Sequence, residues 1–293
     1  MTKTLNPIGV HALVWVGNTS PDDIRSAVRQ TKESGFDLLE LSLHDSDNLD
    51  VEAARAALVE ADLAVACSRG LAFDADISSD DSSVVARGEQ ILHDSLDIVD
   101  RLGSKILTGA LYSALGKYNQ RLTPTGRGNV VTVLRSLAKE ASGRGVSLGL
   151  EICNRYETNV VNTARDALRL ADDIGEDNVF IHLDTYHMNI EEADLIQPVL
   201  DVRDRLGYVH IGENHRGYLG AGSINFPGFF QALARTGYTG PITFESFSSA
   251  VVSETLSNDL AVWRNMWDNG EDLAQAARTF IETHLAAAAH SQR

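Results

Sequence analysis

Short apolar runs of β-forming residues recur eight times along this chain, and a stretch with helical spacing follows each of them. The runs cover residues 8–14, 37–43, 63–68, 105–111, 146–153, 178–184, 206–212 and 241–247. Between them lie patterns such as VEAARAALVEAD and ARDALRLADDIG, with apolar residues at the intervals of an amphipathic helix. Some helix boundaries are legible as well. Ser20 has the character of a cap, Pro21 suits the first helical position, and Gly35 suits the stop. Eight strand–helix units in 293 residues predict an α/β fold, a (β/α)8 TIM barrel with additional C-terminal helices. A doubly wound parallel sheet is the competing architecture, but no G-x-G-x-x-G fingerprint follows the first run. With no low-complexity linker or shift in composition, residues 1–293 read as one barrel domain. The helical extension occupies about 253–289. Its apolar Trp263, Met266, Trp267, Phe280 and Ile281 suit either a closing helix layer or a contact between subunits.

Charge limits the partners. Lys and Arg number 25 against 41 Asp and Glu, a formal charge of −16. Such a surface repels phosphate backbones, so no nucleic-acid partner is expected. No run approaches the roughly 20 apolar residues that cross a bilayer, and no membrane association is expected. The start, MTKTLNPIGV, lacks the apolar core of a secretory leader. Cys67 and Cys153 are too few for a disulfide framework, so two reduced thiols and a cytoplasmic location are the expectation.

In a (β/α)8 barrel the chemistry sits at the C-terminal ends of the strands. The last four runs each deliver a metal-ligand type there: Glu151 in LGLEIC, Asp184 in IHLD, His210 in YVHIG and Glu245 in TFESF. A charged group flanked by apolar residues must find a partner inside or stay unpaired at high cost. Alone, such a Glu is usually a cap or a rim ion pair, and such a His a satisfied polar residue. Four in succession point to convergence, and three converging carboxylates repel one another unless a cation neutralises them. The imidazole favours a divalent transition metal such as Mn2+ or Co2+, with Mg2+ possible where water completes its shell. Polar loops follow at 154–159, 185–189 and 212–217. They are dense in the donors and acceptors that a hydroxyl-rich ligand needs, though a solvated rim would have the same composition.

The segments NRYETNVVNT, HLDTYHMNIEE, HIGENHRGYLGAGSINF and GPITFESFSS resemble those of the ketose 3-epimerases. These are the D-tagatose, D-allulose (psicose) and L-ribulose 3-epimerases of the xylose-isomerase-like barrel superfamily. HALVW near the start, KESGFDLLEL and the late WRNMWDNGEDL extend the likeness over nearly the whole chain. The quartet of ligand types is shared by the wider superfamily; the four segments together are particular to this branch. The resemblance implies one divalent metal per subunit, Mn2+ or Co2+, on Glu151, Asp184, His210 and Glu245. It makes Glu151 and Glu245 the acid/base pair, and Glu157, His187 and Arg216 the groups that bind the O1–O3 end of the ketose. Trp15, Cys67 and Phe247 become walls around the substrate, while the loop at 109–112, which should meet the far end of the sugar, stays unassigned. A free ketose as small-molecule partner and a homodimer or homotetramer are implied as well.

The implied reaction is C3 epimerisation of D-tagatose/D-sorbose, D-fructose/D-allulose or L-ribulose/L-xylulose. The C3 proton is weakly acidic, and a metal on O2 and O3 would polarise the C2 carbonyl and stabilise a cis-enediolate. Inversion needs a proton removed from one face and returned to the other, which favours two carboxylates over one movable base. Three rival readings stay open. An aldose–ketose isomerase would use the same metal and a Glu pair. A sugar-phosphate isomerase or epimerase would use Gly217, Gly220 and Gly222 with Arg216 as a phosphate cradle. A sugar-binding module would keep the metal as a structural ion and catalyse nothing.

Overall fold

The strands turn one set of side chains outward to a helix layer and the alternate set into the ring, and they close in chain order into one parallel barrel. The computed structural model describes residues 6–291, so part of the start considered above for a leader lies outside the described residues. The strands are β1 (Ile8–His11), β2 (Leu38–Ser42), β3 (Ala64–Ser68), β4 (Ile106–Thr108), β5 (Ser147–Glu151), β6 (Val179–Asp184), β7 (Leu206–Ile211) and β8 (Ile242–Phe244). Pairing of β1 with both β2 and β8 closes the ring and rules out the doubly wound sheet. Around it lie α1 (Pro21–Glu33), α2 (Val51–Glu60), α3 (Ser82–Leu102), α4 (Pro124–Gly143), α5 (Ala164–Ile174), α6 (Thr185–Glu191), α7 (Gln197–Val202), α8 (Phe226–Thr236), α9 (Glu254–Asp259) and α10 (Gly270–His290). The cap on α1 forms as the sequence suggests, with Ser20 accepting from the Asp23 N–H and Pro21 at the first position.

Several strands are shorter than the apolar runs that announce them. The run 8–14 becomes β1 followed by a 3-10 turn at Ala12–Val14, and the run 105–111 becomes β4 alone. Residues 12–14 and 109–111 stay buried but turn to build the barrel mouth. Gly109 makes one such turn at φ 112, where the Arg69 carbonyl approaches so closely that a Cβ would lie 2.5 Å from its oxygen.

Inside the ring, Leu38, Ala66 and Tyr208, with Ile106 and Phe180 against them, form a small apolar plug. Gly149 and Gly207 make room for it, since a Cβ on either would come within 2.6 Å of the Phe180 ring. Beyond the plug the interior turns polar, with Glu40, Thr108, His182, His210 and Thr243 all buried. Helix α10 packs against α8, β1 and β8 and completes the outer layer. The tail divides accordingly: Ile281 is buried, the Trp267 indole donates to Ser246 Oγ at 2.8 Å, and Trp263 stays 71% exposed. Among the described residues no helix is long and apolar enough to cross a membrane.

A Gly109→Ala change tests the turn at the mouth. It forces a Cβ against backbone at a positive φ, and should cost about 1–3 kcal/mol in urea unfolding.

Candidate active site

Four strands hand their last polar side chains to one interior position. Glu151 ends β5, with its N–H donating to the Gly109 carbonyl at 3.2 Å and its carbonyl accepting from the Tyr112 hydroxyl at 2.6 Å. Asp184 ends β6 and caps α6: one carboxylate oxygen accepts from the Tyr186 N–H at 2.6 Å, which leaves the other for the interior. His210 comes from β7, and Glu245 follows β8 with its N–H donating to the Ile211 carbonyl at 3.1 Å. One ligand atom from each of the four lies within 4.8 Å of the other three, and all four residues are buried. The structure therefore brings together the quartet that the strand ends suggested.

Electrostatics sets the state of this cluster. His210 Nδ1 lies 3.2 Å from Glu151, 3.6 Å from Glu245 and 3.8 Å from Asp184. Its Nε2 donates to Glu40 Oε2 at 2.7 Å. A carboxylate can only accept, so Glu40 fixes a proton on Nε2 and turns Nδ1 toward the quartet. Burial opposes charge on His210, but Glu40 and Glu245 outweigh it and raise its pKa well above the usual imidazole range. Burial likewise lifts the Glu151 carboxyl, with Glu245 adding to the effect against His210. At Asp184 burial loses to Arg216 and His187, which hold its carboxyl well below the ordinary range. Three carboxylate oxygens and one correctly turned imidazole nitrogen, buried and convergent, form a donor set that fits a divalent cation.

A cavity of about 890 Å3 opens onto this cluster, lined on one side by Glu151, Glu157, His187, Arg216, Glu245 and Phe247. Arg216, at φ 59, places Nη1 2.6 Å from Glu245 and 3.4 Å from Asp184. Its guanidinium lies 3.8 Å over the Tyr186 ring and 4.8 Å from the Phe247 ring. His187 Nδ1 accepts from the Asn154 backbone at 3.2 Å and from the Asn154 amide at 2.8 Å. Its remaining proton therefore sits on Nε2, 3.6 Å from Asp184 and 3.9 Å from Glu157.

Two expected walls of the cavity lie elsewhere. Cys67 is fully buried in the apolar layer, because the strand's two-residue period turns its neighbour Ser68 inward instead. Trp15 packs against that same outer core and donates its indole N–H to Thr31 Oγ1 on α1 at 2.9 Å. Phe247 does line the cavity, as do Gly109 and Ala110 from the loop that sequence reading left unassigned.

Three further buried groups, Glu40, His11 and His182, are not singled out by the sequence pattern. Glu40 also accepts from the Tyr208 hydroxyl at 2.9 Å, and its other oxygen lies 3.6 Å from His11 Nε2. His182 meets Thr108 Oγ1 at 2.9 Å through Nδ1, while its buried Nε2 has no hydrogen-bond partner among the described residues. The signal for Glu40 was present: it is the charged residue inside the apolar run DLLELSL. The glycines at 217, 220 and 222 do not present an open phosphate cradle. Their loop folds around the buried Glu213 carboxylate, which accepts from the N–H groups of Asn214, Gly220 and Ile224 at 3.0, 2.9 and 3.4 Å.

Replacing Glu40 with Gln removes the charge that holds the His210 tautomer. Calorimetric titration of metal-free protein with Mn2+ should show affinity reduced about 10–100-fold. Because a cation must displace any proton on Nδ1, wild-type affinity should rise with pH through the elevated His210 pKa.

Residues 28–288 match the family described as Xylose isomerase-like TIM barrel. The chain is 48% identical to the ketose 3-epimerase of Arthrobacter globiformis, over 96% of this chain and 97% of that protein. To the L-ribulose 3-epimerase of Methylomonas sp. it is 45% identical, over 94% and 96% of the two chains. The crystal structure of D-allulose 3-epimerase from Methylomonas sp. in complex with D-allulose superposes with a TM-score of 0.94 at 44% identity, covering 96% of this chain and 98% of that one. By fold, site and sequence, the chain belongs to the xylose isomerase-like TIM barrel family, on the branch that holds the ketose 3-epimerases.

Proposed function

We propose that this protein epimerises free ketoses at C3, with Glu151 and Glu245 as the acid/base pair. The observation that carries this reading is the convergence of those two carboxylates, delivered from β5 and from the end of β8, beside a cavity walled by polar groups on the same side. Two carboxylates that approach a bound sugar from different strands suit removal of the C3 proton on one face and its return on the other. Arg216 and the Nε2–H of His187 are donors, and Glu157 is an acceptor, suited to hold O1–O3 so that C3 faces the pair. The Phe247 ring and the closed barrel floor limit water around the reacting carbons.

A divalent cation on Glu151, Asp184, His210 and Glu245, Mn2+ or Co2+ in this proposal with Mg2+ as an alternative, supplies Lewis-acid polarisation of the C2 carbonyl when bound. Relatives named for L-ribulose, D-allulose and D-psicose support a range of five- and six-carbon ketoses as substrates. The amides turned to Glu213 favour a free sugar over a phosphorylated one at that loop. The proposal includes a single working domain, a cytoplasmic setting in keeping with two unpaired buried thiols, and a homo-oligomer in which exposed Trp263 is a contact. Sedimentation analysis of the Trp263→Ser variant addresses the last point.

Incubation of the Mn2+-loaded protein with D-fructose or D-tagatose in D2O should place deuterium at C3 and yield D-allulose or D-sorbose. Label at C1 or C2 with aldose formation would make the protein an isomerase. The Glu245→Gln variant should lose about 100- to 10,000-fold in C3 exchange, and full activity in that variant would sink the assigned pair.

A further inference from the structure

The cavity has a second side. From the quartet it extends across the barrel mouth to Ser42, Asp45, Ser68 and Arg69, at and beyond the ends of β2 and β3. Strand β3 stands four places from β7 in the eight-stranded ring, so this wall lies opposite His210. A sugar held by its O1–O3 end at the quartet directs its remaining carbons this way.

Two arginines line the cavity, and their circumstances differ. Arg216 is matched by the carboxylates of Glu245 and Asp184. Among the described residues the Arg69 side chain has one long hydrogen bond, from Nη1 to Ser46 Oγ at 3.4 Å. Among the described residues no carboxylate lies within ion-pair distance of it; Asp47 and Asp94 act on it only through space. Its position is nevertheless fixed. The Arg69 N–H donates to the Thr108 carbonyl at 2.9 Å, and the turn at Gly109 closes against its carbonyl. Burial works against the Arg69 charge, and a guanidinium with no carboxylate partner beside this cavity is suited to the acceptors of a ligand.

We propose that Arg69 is the specificity-determining residue for the C4–C6 end of the ketose, its guanidinium donating hydrogen bonds to the terminal hydroxyls. The inference rests on the ketose reading above. A hydroxyl is the fitting partner because the same wall carries Asp45, Ser42 and Ser68, a mixture of acceptors and donors that a neutral polyol satisfies and an anion does not.

The test compares Arg69→Met, which keeps much of the stem, with Arg69→Lys and the wild type, all loaded with Mn2+. D-fructose and the four-carbon ketose erythrulose serve as substrates, with C3 exchange in D2O as the readout. Erythrulose carries the reacting C3 but lacks the C5 and C6 hydroxyls. Arg69→Met should raise KM for D-fructose about tenfold or more, with kcat within about twofold, and leave kcat/KM for erythrulose within about twofold. Arg69→Lys should fall between the two. Equal losses on both sugars, or none on either, would overturn the assignment. Exchange of D-fructose 6-phosphate that is strong in the wild type and lost in Arg69→Met would also overturn it, in favour of an anionic terminus. If the wild type fails to exchange C3 of either neutral sugar, the failure belongs to the ketose reading and not to Arg69.

Discussion

Four carboxylates are buried close together inside this barrel, and their coexistence depends on His210. Its Nε2 answers Glu40 and its Nδ1 faces Glu151, Asp184 and Glu245, so one imidazole stands between acidic groups from β2, β5, β6 and β8. Arg216 supplies the second positive charge from the loop after β7. A buried charge that loses its partner costs several kcal/mol, so the cluster constrains the strands that carry it. The apolar plug beneath and the outward-facing leucines and valines do the rest of the packing, but they would accept many equivalent side chains. The polar cluster accepts few.

That arrangement also explains why a site can exist here. A convergent acidic cluster with one correctly turned imidazole is set up to take a cation, and the donors beside it are held before any ligand arrives. Asn154 fixes the His187 proton through two hydrogen bonds, and Tyr186 supports the Arg216 guanidinium by stacking. Gly212 leaves that guanidinium its space, since a Cβ there would lie 3.0 Å from Nη1. Such support lowers the cost of orienting a substrate, because the groups need not be ordered when it binds.

Much of this was legible from residue order. Eight apolar runs with helical stretches between them describe a barrel, and a carboxylate or imidazole near the end of each of the last four runs describes a convergent site. Where reading failed, the failure was one of direction. Cys67 and Ser68 are neighbours, and only the register of β3 decides which of them faces the cavity. Trp15 follows a short 3-10 turn that swings its ring back to Thr31 instead of inward. Glu40 sits in the middle of β2 and not at its end, so the strand-end rule that picks out Glu151 does not reach it.

The order of residues by itself determined the alternation of strand and helix, the acidic surface, and the identity of the four convergent ligand types, because each is a property of local pattern or composition. Tertiary structure decided which nitrogen of His210 faces the quartet, since Glu40 lies 170 residues away in sequence and meets it only when β1 closes the ring against β8. It decided too that the glycine-rich loop wraps its own Glu213 and that Arg69, beside the cavity, has no carboxylate within ion-pair distance among the described residues. These are relations between groups distant in sequence, and their energies depend on burial and separation, which the chain acquires only on folding.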